Sequence, residues 1–272
     1  MRTTVAPSGV ITLTTDFGLD DPFVGVMKGV MYGRFPAARI VDLTHGILPH
    51  WPAEAGFWLA RSFGYFPTGT VHVAVVDPGV GSARDILLAT LDGHFFLAPD
   101  NGLLAPSIAR ARHAEVRKLA ATALSSLGLS RVSATFHGRD IFAPMAAEIA
   151  AGRRTIVELG TPTAAWVPCW IDEPVVDREA VSGSVVTIDH FGNLITNIEG
   201  DSLAGFVEAH AYAASSIIPL RRTYSEAPPG EFLALVNSFG VLEIAVAEGA
   251  AADRLGLSRG APVTVRDAVR HR

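Results

Sequence analysis

The stretch VHVAVVDPGVG, residues 71–81, decides the fold of this chain. Its opening run, 71–76, is almost wholly apolar, which is typical of a strand buried on both faces of a sheet. The strand ends at Asp77, and the Pro-Gly pair that follows turns the chain. A charged residue and a glycine turn after a buried strand are typical of an open α/β sheet, where ligands bind at the carboxyl ends of the strands.

Two other stretches repeat this arrangement of charge and glycine. TDFG, residues 15–18, follows the apolar run 10–15 and places Asp16 at a strand end. FHGRD, residues 136–140, places His137 directly before a glycine. Arg84 follows Asp77 by seven residues. We therefore expect an acid, a base and a fixed cation to converge on one pocket.

Apolar runs alternate with helical periodicity through the first part of the chain. This alternation predicts an α/β N-terminal domain whose mixed, largely parallel sheet is covered on both faces. The first helix is expected to bury an apolar face made of Phe23, Val26, Met27, Val30 and Met31. The predicted strands are 10–15, 39–43, 71–76, 86–91 and 94–97, and two further helices are predicted at 52–63 and 140–150.

The pattern changes at residues 166–177, where two prolines and two tryptophans indicate an extended connector. Beyond it the apolar residues recur with period two, which predicts a smaller all-β, barrel-like C-terminal domain. The predicted strands there are 184–189, 194–198, 232–236, 242–246 and 262–265. We divide the chain into an N-terminal domain (8–166), a linker (167–180) and a C-terminal domain (181–268).

Composition excludes several classes of protein. The 272 residues carry a net charge of −5, and Lys and Arg are scattered, so no nucleic-acid partner is expected. The sole cysteine, Cys169, suits a reducing compartment. The first residues lack the apolar core of a signal peptide, and no run approaches the roughly 18 apolar residues of a membrane span. These features predict a cytoplasmic protein with no membrane partner.

Each candidate residue also has a plain structural interpretation. Asp77 is a common turn former, Asp16 fits an Asx-turn, and a histidine beside a phenylalanine is usually a satisfied core residue. A buried Arg–carboxylate pair adds little stability, however, because desolvation offsets much of the attraction. A pair of Asp77 and Arg84 is therefore better explained as lining a pocket. At the end of the first strand, Asp16 fits a ribose-binding carboxylate.

Motifs for other chemistries are missing from the sequence. There is no HExxH, no Cys/His cluster and no carboxylate-dense motif, and Arg84 would repel a divalent ion. The phosphate-binding GxxxxGK[ST] motif, the dinucleotide-binding GxGxxG after the first strand and the GxSxG elbow are absent too. We expect neither a metal nor a cofactor.

Six ordered motifs resemble those of one family, the S-adenosyl-L-methionine (SAM) hydroxide adenosyltransferases, hydrolases related to the bacterial fluorinases and chlorinases. The resemblance runs from residue 11 to about 265. The motifs are LTTDFG (13–18), VVDPGVG (75–81) with Arg84, APDNG (98–102), FHGRDIFAP (136–144), DHFGN (189–193) and NSFG (237–240).

The resemblance implies a homotrimer with active sites between neighbouring subunits. It also implies that an Asp–Arg–His set, here Asp77, Arg84 and His137, handles the attacking water. The halogenases lack that set and place a serine where this chain has Gly138. The chain is therefore more similar to the hydrolases than to the halogenases.

Ligand contacts carry over by position in the motifs. The resemblance implies that Asp16 binds the ribose hydroxyls and that Trp51 forms an aromatic wall beside the nucleoside. The implied adenine contact is Asn193, with Phe191 packing next to it. Asp189 and Ser238 match the partners of the methionine ammonium and carboxylate. Phe239 replaces an arginine of the halogenases.

The expected reaction is hydrolysis of SAM to adenosine and L-methionine by in-line attack of water on C5′. Either His137 or Asp77 would accept the proton, and Arg84 would stabilise the developing hydroxide. The alternatives are a SAM-dependent halogenase and a non-catalytic adenosine- or SAM-binding protein.

Overall fold

The computed structural model describes residues 5–267. The chain forms two compact units that divide between Trp170 and Ile171. The predicted linker, 167–180, spans this division; the predicted domain bounds stay a prediction, and residue 268 lies outside the described part of the chain. Within 5–267, no helix has the length and apolar character needed to cross a bilayer.

The N-terminal unit is built on a mixed seven-stranded sheet with the order β2-β1-β3-β5-β4-β6-β7. Pairing is parallel from β2 to β5 and antiparallel from β5 to β7, as predicted for a mixed sheet. The strands are β1 (Val10–Thr15), β2 (Arg39–Thr44), β3 (Val71–Val75), β4 (Ile86–Leu91), β5 (His94–Pro99), β6 (Ala114–Leu119) and β7 (Gly160–Pro162).

Helices cover both faces of this sheet. Val71, Val73 and Val75 of β3 belong to the core beneath α1 and α5, whereas Ala74 and Val76 belong to the core beneath α2 and α3. This explains why 71–76 is apolar with little alternation. The helices are α1 (Phe23–Arg34), α2 (Pro52–Ser62), α3 (Ala105–Arg110), α4 (Ala123–Ser126), α5 (Ala143–Ala150) and α6 (Ile156–Leu159).

The predicted apolar face of α1 is partly wrong. Met27 and Met31 are buried, with Val24 beside them, but Phe23 is 44% exposed and Val26 is 39% exposed. The buried face of α1 is therefore narrower than predicted, and the helix packs on α5. Phe23 instead contacts two other aromatic rings at the carboxyl edge of the sheet, which makes it part of the site described below.

The C-terminal unit is an antiparallel, nearly closed barrel, as predicted. Its strand order is β12-β11-β15-β9-β10-β14-β13, and an isolated bridge between Leu220 and Ala234 joins the two ends. The strands are β8 (Val175–Val176, paired with β9), β9 (Ala180–Ile188), β10 (Leu194–Glu199), β11 (Ala209–Ala213), β12 (Ser216–Pro219), β13 (Phe232–Val236), β14 (Val241–Val246) and β15 (Pro262–Asp267), with one helix, α7 (Ala251–Leu255).

Candidate active site

Two neighbouring parallel strands end at the same edge of the sheet, and an aspartate follows each of them. β1 and β3 are neighbours, and Thr15 pairs with Val75 in their register. Asp16 and Asp77 therefore follow adjacent strands at the same edge of the sheet, and both line one cavity. This is the edge at which the sequence pattern predicted the site.

The loop from Asp77 to Arg84 is held by a close approach of two backbones. Gly81 has φ +79°, and a Cβ at this position would lie 2.2 Å from the carbonyl oxygen of Ala134. Only glycine fits both the left-handed backbone and the contact. The loop thus lies against the segment that leads into His137.

The Arg84 guanidinium binds the Asp77 carboxylate through two of its nitrogen atoms. Its Nε donates to both carboxylate oxygens, at 3.0 Å and 2.9 Å, and its Nη2 donates to Oδ2. The side chains are only 10% (Arg84) and 4% (Asp77) exposed. Arginine suits this role because its rigid fork matches the carboxylate geometry.

His137 completes a hydrogen-bonded set of three side chains. The Arg84 Nη2 donates to the His137 Nδ1 over 2.8 Å. A guanidinium can only donate, so Nδ1 is the acceptor and the neutral ring carries its proton on Nε2. Burial and then the Arg84 charge lower the pKa of His137, while Asp77 and Asp140 oppose the shift. The set brings together all three predicted catalytic residues.

A π-helical turn carries His137 into this position. Residues Gly138–Phe142 form the turn, and α5 continues from it, so the regular helix starts later than the predicted 140. Such turns are often found at functional sites. Asp140, at the predicted helix start, accepts from the Ser133 N–H at 2.8 Å and pairs with Arg139.

The N-terminal cavity has a volume of about 280 Å³ and includes Asp16, Asp77 and His137 in its lining. Three aromatic rings form its apolar wall: Phe17, Phe23 and Phe136 contact one another edge-to-face, with centroids 5.4–6.1 Å apart. Local helix periodicity gave no sign of this cluster.

Trp51, the predicted aromatic wall, does not line the N-terminal cavity. It precedes α2 and contacts Trp170 edge-to-face at 5.8 Å. Pro49 and His50 line the cavity in its place. The His50 N–H donates to the Asp16 carboxylate at 2.9 Å, and His50 has φ +64°, a strained conformation for a residue other than glycine. The role of Trp51 stays a prediction.

In the C-terminal unit, a tight turn joins three of the predicted ligand contacts. Asp189 Oδ1 accepts the backbone N–H of Phe191 and of Asn193, both at 2.9 Å, and Oδ2 accepts from the Asn193 side chain at 3.0 Å. Phe191 is 73% exposed, whereas Asn193 is buried. The turn presents an aromatic ring to solvent above a fixed amide.

A second cavity, which we call the C-terminal cavity, has a volume of about 430 Å³ and is lined by Phe191 and Asn193. Tyr224 and residues 246–249 complete its lining. One of them, Glu248, has φ +58°, so a strained residue borders this cavity as well. Ser238 is exposed in the turn that connects β13 and β14 and does not line the cavity.

Sequence reasoning missed Tyr224 and Glu243. The Tyr224 hydroxyl donates to Glu243 at 2.5 Å, although the two residues are 19 positions apart. The nearest signal was the presence of one acidic residue among the apolar residues of β14. For metals, residues 5–267 hold no group of three or more His, Cys, Asp or Glu side chains arranged to bind an ion.

Family models match both units of the chain. The model of the SAM hydroxide adenosyltransferase N-terminal domain matches residues 11–160, and that of the C-terminal domain matches residues 183–264. The chain belongs to the SAM hydroxide adenosyltransferase family. The N-terminal match includes Asp77, Arg84 and His137, and the C-terminal match includes Asp189 and Asn193.

Relatives in this family are similar over nearly the full chain. The (R)-S-adenosyl-L-methionine hydrolase of Thermus thermophilus is 40% identical, covering 92% of this chain and 96% of the relative. That of Salinispora tropica is 39% identical, covering 94% and 97%. A fluorinase of an Actinoplanes species is more distant, at 27% identity over 95% and 98%. The crystal structure of an uncharacterized conserved protein from Thermotoga maritima superposes with a TM-score of 0.86 at 32% identity, covering 94% and 99%.

Proposed function

We propose that this protein hydrolyses S-adenosyl-L-methionine to adenosine and L-methionine. The observation that carries the proposal is the hydrogen-bonded set of Asp77, Arg84 and His137 at the cavity edge. Membership of a family whose full-length relatives are named SAM hydrolases supports the same reaction. The water oxygen attacks C5′, the C5′–S bond breaks, sulfur keeps the electron pair, and one proton is released.

The sulfonium leaving group departs as a neutral thioether and needs no general acid. The enzyme must therefore hold water in line with the C5′–S bond and help remove its proton. Alignment can supply roughly 7–11 kcal/mol, and proton removal adds about 10²–10⁴-fold. In this mechanism Arg84 fixes Asp77 and stabilises hydroxide, and the His137 Nε2–H donates to the water oxygen. Asp77 accepts the proton, because the His137 Nδ1 is already bonded to Arg84 and its Nε2 already carries a hydrogen.

The remaining predicted contacts divide between the substrate's parts. Asp16 binds the ribose hydroxyls with one carboxylate oxygen already held by His50. Asn193 and Phe191 bind adenine at the C-terminal cavity. Asp189 and Ser238 bind the methionine ammonium and carboxylate. Trp51 adds an aromatic contact to the nucleoside.

We also propose that the protein is a homotrimer with its active sites between neighbouring subunits. The catalytic set and the adenine contacts lie in different units of the chain, which suits a site shared between copies. Co-expression of an Asp77→Ala chain with an Asn193→Ala chain tests this. Mixed trimers regain activity if sites are shared. The Asn193→Ala chain then supplies an intact Asp77 and the Asp77→Ala chain supplies an intact Asn193 to the same site. No recovery in trimers shown to be mixed contradicts shared sites.

The deciding experiment is turnover in ¹⁸O-water with mass spectrometry of the products. The names of the hydrolase relatives specify the R configuration, so each sulfonium epimer should be assayed separately. Adenosine with ¹⁸O at its 5′ position, together with free methionine, is the expected result. In high chloride, 5′-chloro-5′-deoxyadenosine would instead indicate a halogenase. Binding of SAM without turnover would indicate a binding protein.

A further inference from the structure

A carboxylate is buried in the C-terminal barrel beside the predicted ligand contacts. Glu243 lies in β14 between Ile195 of β10 and Leu235 of β13, and it is only 3% exposed. Burying a charged group is costly unless hydrogen bonds replace its hydration. The apolar neighbours in β14 show that the barrel fold accepts hydrophobic side chains along this strand. The carboxylate therefore calls for an explanation beyond the fold.

Two neutral donors satisfy the carboxylate, one on each oxygen. The Tyr224 hydroxyl donates to Oε1 at 2.5 Å, and the Asn237 side-chain amide donates to Oε2 at 3.1 Å. Burial raises the pKa of Glu243 above its ordinary value, and the Asp189 carboxylate adds to this, while the two hydrogen bonds oppose it. Burial and the Glu243 charge also raise the pKa of Tyr224. The phenol therefore stays a donor.

The two donors lead to different parts of the ligand-binding surface. Tyr224 lines the C-terminal cavity together with Phe191 and Asn193. Asn237 organises the β13–β14 turn: its Oδ1 accepts the Phe239 N–H at 2.9 Å. That turn carries Ser238. A single buried carboxylate thus connects the cavity wall to the turn.

We propose that Glu243 is a positioning residue that fixes both ends of the substrate site in the C-terminal unit. Through Tyr224 it holds the wall of the adenine cavity, and through Asn237 it holds the Ser238 turn for the methionine end. The inference rests on the proposed function, because it uses that assignment of adenine and methionine. Neither Glu243 nor Asn237 needs to touch the substrate for this role.

The test compares Glu243→Gln and Tyr224→Phe with wild type in the full-length protein. Glutamine keeps the shape but replaces one carboxylate oxygen with an NH2 group that only donates, so it cannot accept from Tyr224 and Asn237 on separate oxygens. Adenosine and L-methionine binding are measured separately by calorimetry, and KM and kcat for SAM are measured in parallel. Ile218→Val, a core change in β12, serves as a control for lost stability alone.

We expect Glu243→Gln to weaken binding of both adenosine and methionine, each by about 3–10-fold, the effect of losing one hydrogen bond. Tyr224→Phe should weaken adenosine binding to a similar extent and leave methionine binding within about twofold. KM for SAM should rise in both variants more than kcat falls. Ile218→Val should lower the melting temperature without changing either affinity.

A Glu243→Gln variant that melts earlier but keeps both affinities overturns the proposal, because the carboxylate then serves only stability. Wild-type protein that binds neither product also overturns it. If wild type binds both products but does not turn over SAM, the proposed hydrolysis fails, and the two affinities in Glu243→Gln still decide the positioning role.

Discussion

Arg84 donates from Nη2 to Nδ1 of His137 over 2.8 Å while the same guanidinium holds Asp77. This one cation therefore fixes the tautomer of the histidine and the orientation of the carboxylate. Protonation of His137 at Nδ1 would break the bond and place two positive groups together. The neutral ring is the form that the set stabilises, and its low pKa follows from burial and from Arg84.

The first prediction concerns the pH dependence of turnover. Because the pKa of His137 is lowered from 6.5, its acidic limb in the kcat/KM profile should lie below pH 6.5. His137→Gln should lower kcat by about 10²–10⁴-fold and remove that limb, with KM nearly unchanged. If the limb persists in the variant, a group other than His137 causes it.

The geometry of the arginine gives a second prediction. Arg84→Lys keeps the charge but cannot serve Asp77 and His137 together, because an ammonium lacks the planar fork. We expect kcat to fall at least about 10²-fold. Arg153→Lys is the matched control, since Arg153 forms an exposed pair with Glu148 in the same unit. Equal activity of the two lysine variants would mean that only the charge of Arg84 matters.

The loop before Arg84 supplies a third prediction. Gly81→Ala combines a left-handed backbone with a Cβ 2.2 Å from the Ala134 carbonyl oxygen, so the loop must move. The left-handed backbone alone costs about 1–3 kcal/mol. The contact adds to this cost, so we expect the free energy of unfolding to fall by at least that amount, with loss of activity. Gly64→Ala is the control, because a Cβ there meets no atom within 4 Å. Equal unfolding midpoints in urea for the two variants would contradict the strained contact.

Strand ends were predictable because their signals are local. An apolar run, a charged residue and a glycine lie within a few positions, so residues 71–81 indicated both the strand and the place of Asp77. Contacts across the fold were not predictable from spacing. Periodicity identified the α1 stripe but could not show that Phe23 faces a cavity instead of the core. The bond between Tyr224 and Glu243 depends on barrel register, which no local pattern encodes.

A buried histidine pair predicts the acid sensitivity of the fold. His72 lies in β3 with its Nδ1 2.8 Å from the Thr12 hydroxyl and its Nε2 3.2 Å from the His94 Nδ1. Burial, and then the neighbouring His94, lower the pKa of His72 to about 3. Above pH 6.5 the ring is neutral in both the folded and the unfolded chain, and the stability is complete. As the pH falls from 6.5 toward 3, only the unfolded chain gains the proton, so stability is lost.

We expect the free energy of unfolding to fall by about 1.4 kcal/mol for each pH unit in that window for this residue alone. His72→Gln cannot titrate, so its stability should decline less steeply with falling pH, whatever its stability at pH 7.5. Urea unfolding at several pH values measures both slopes. His190→Gln, in the 189–193 turn, is the control. Parallel slopes for wild type and His72→Gln would show that another group causes the acid sensitivity.

The last prediction concerns His45, a buried histidine that contacts the turn carrying Asp16. The His45 Nδ1 lies 2.8 Å from the Thr15 hydroxyl, and its carbonyl oxygen accepts the Gly18 N–H at 2.9 Å. The His45 Nε2 is 3.0 Å from Asp42, and the side chain is 2% exposed. These contacts fix the turn on both sides of Asp16.

Replacing the ring should loosen Asp16 without changing the bonded set of Asp77, Arg84 and His137. We expect His45→Leu to raise KM for SAM by about 3–10-fold, with a smaller change in kcat. His45→Asn keeps a polar atom near the position of Nδ1 and should recover part of the affinity through the Thr15 hydroxyl. Steady-state kinetics of the two variants and their melting temperatures separate positioning from stability. A role in stability alone would lower the melting temperatures and leave KM unchanged in both variants.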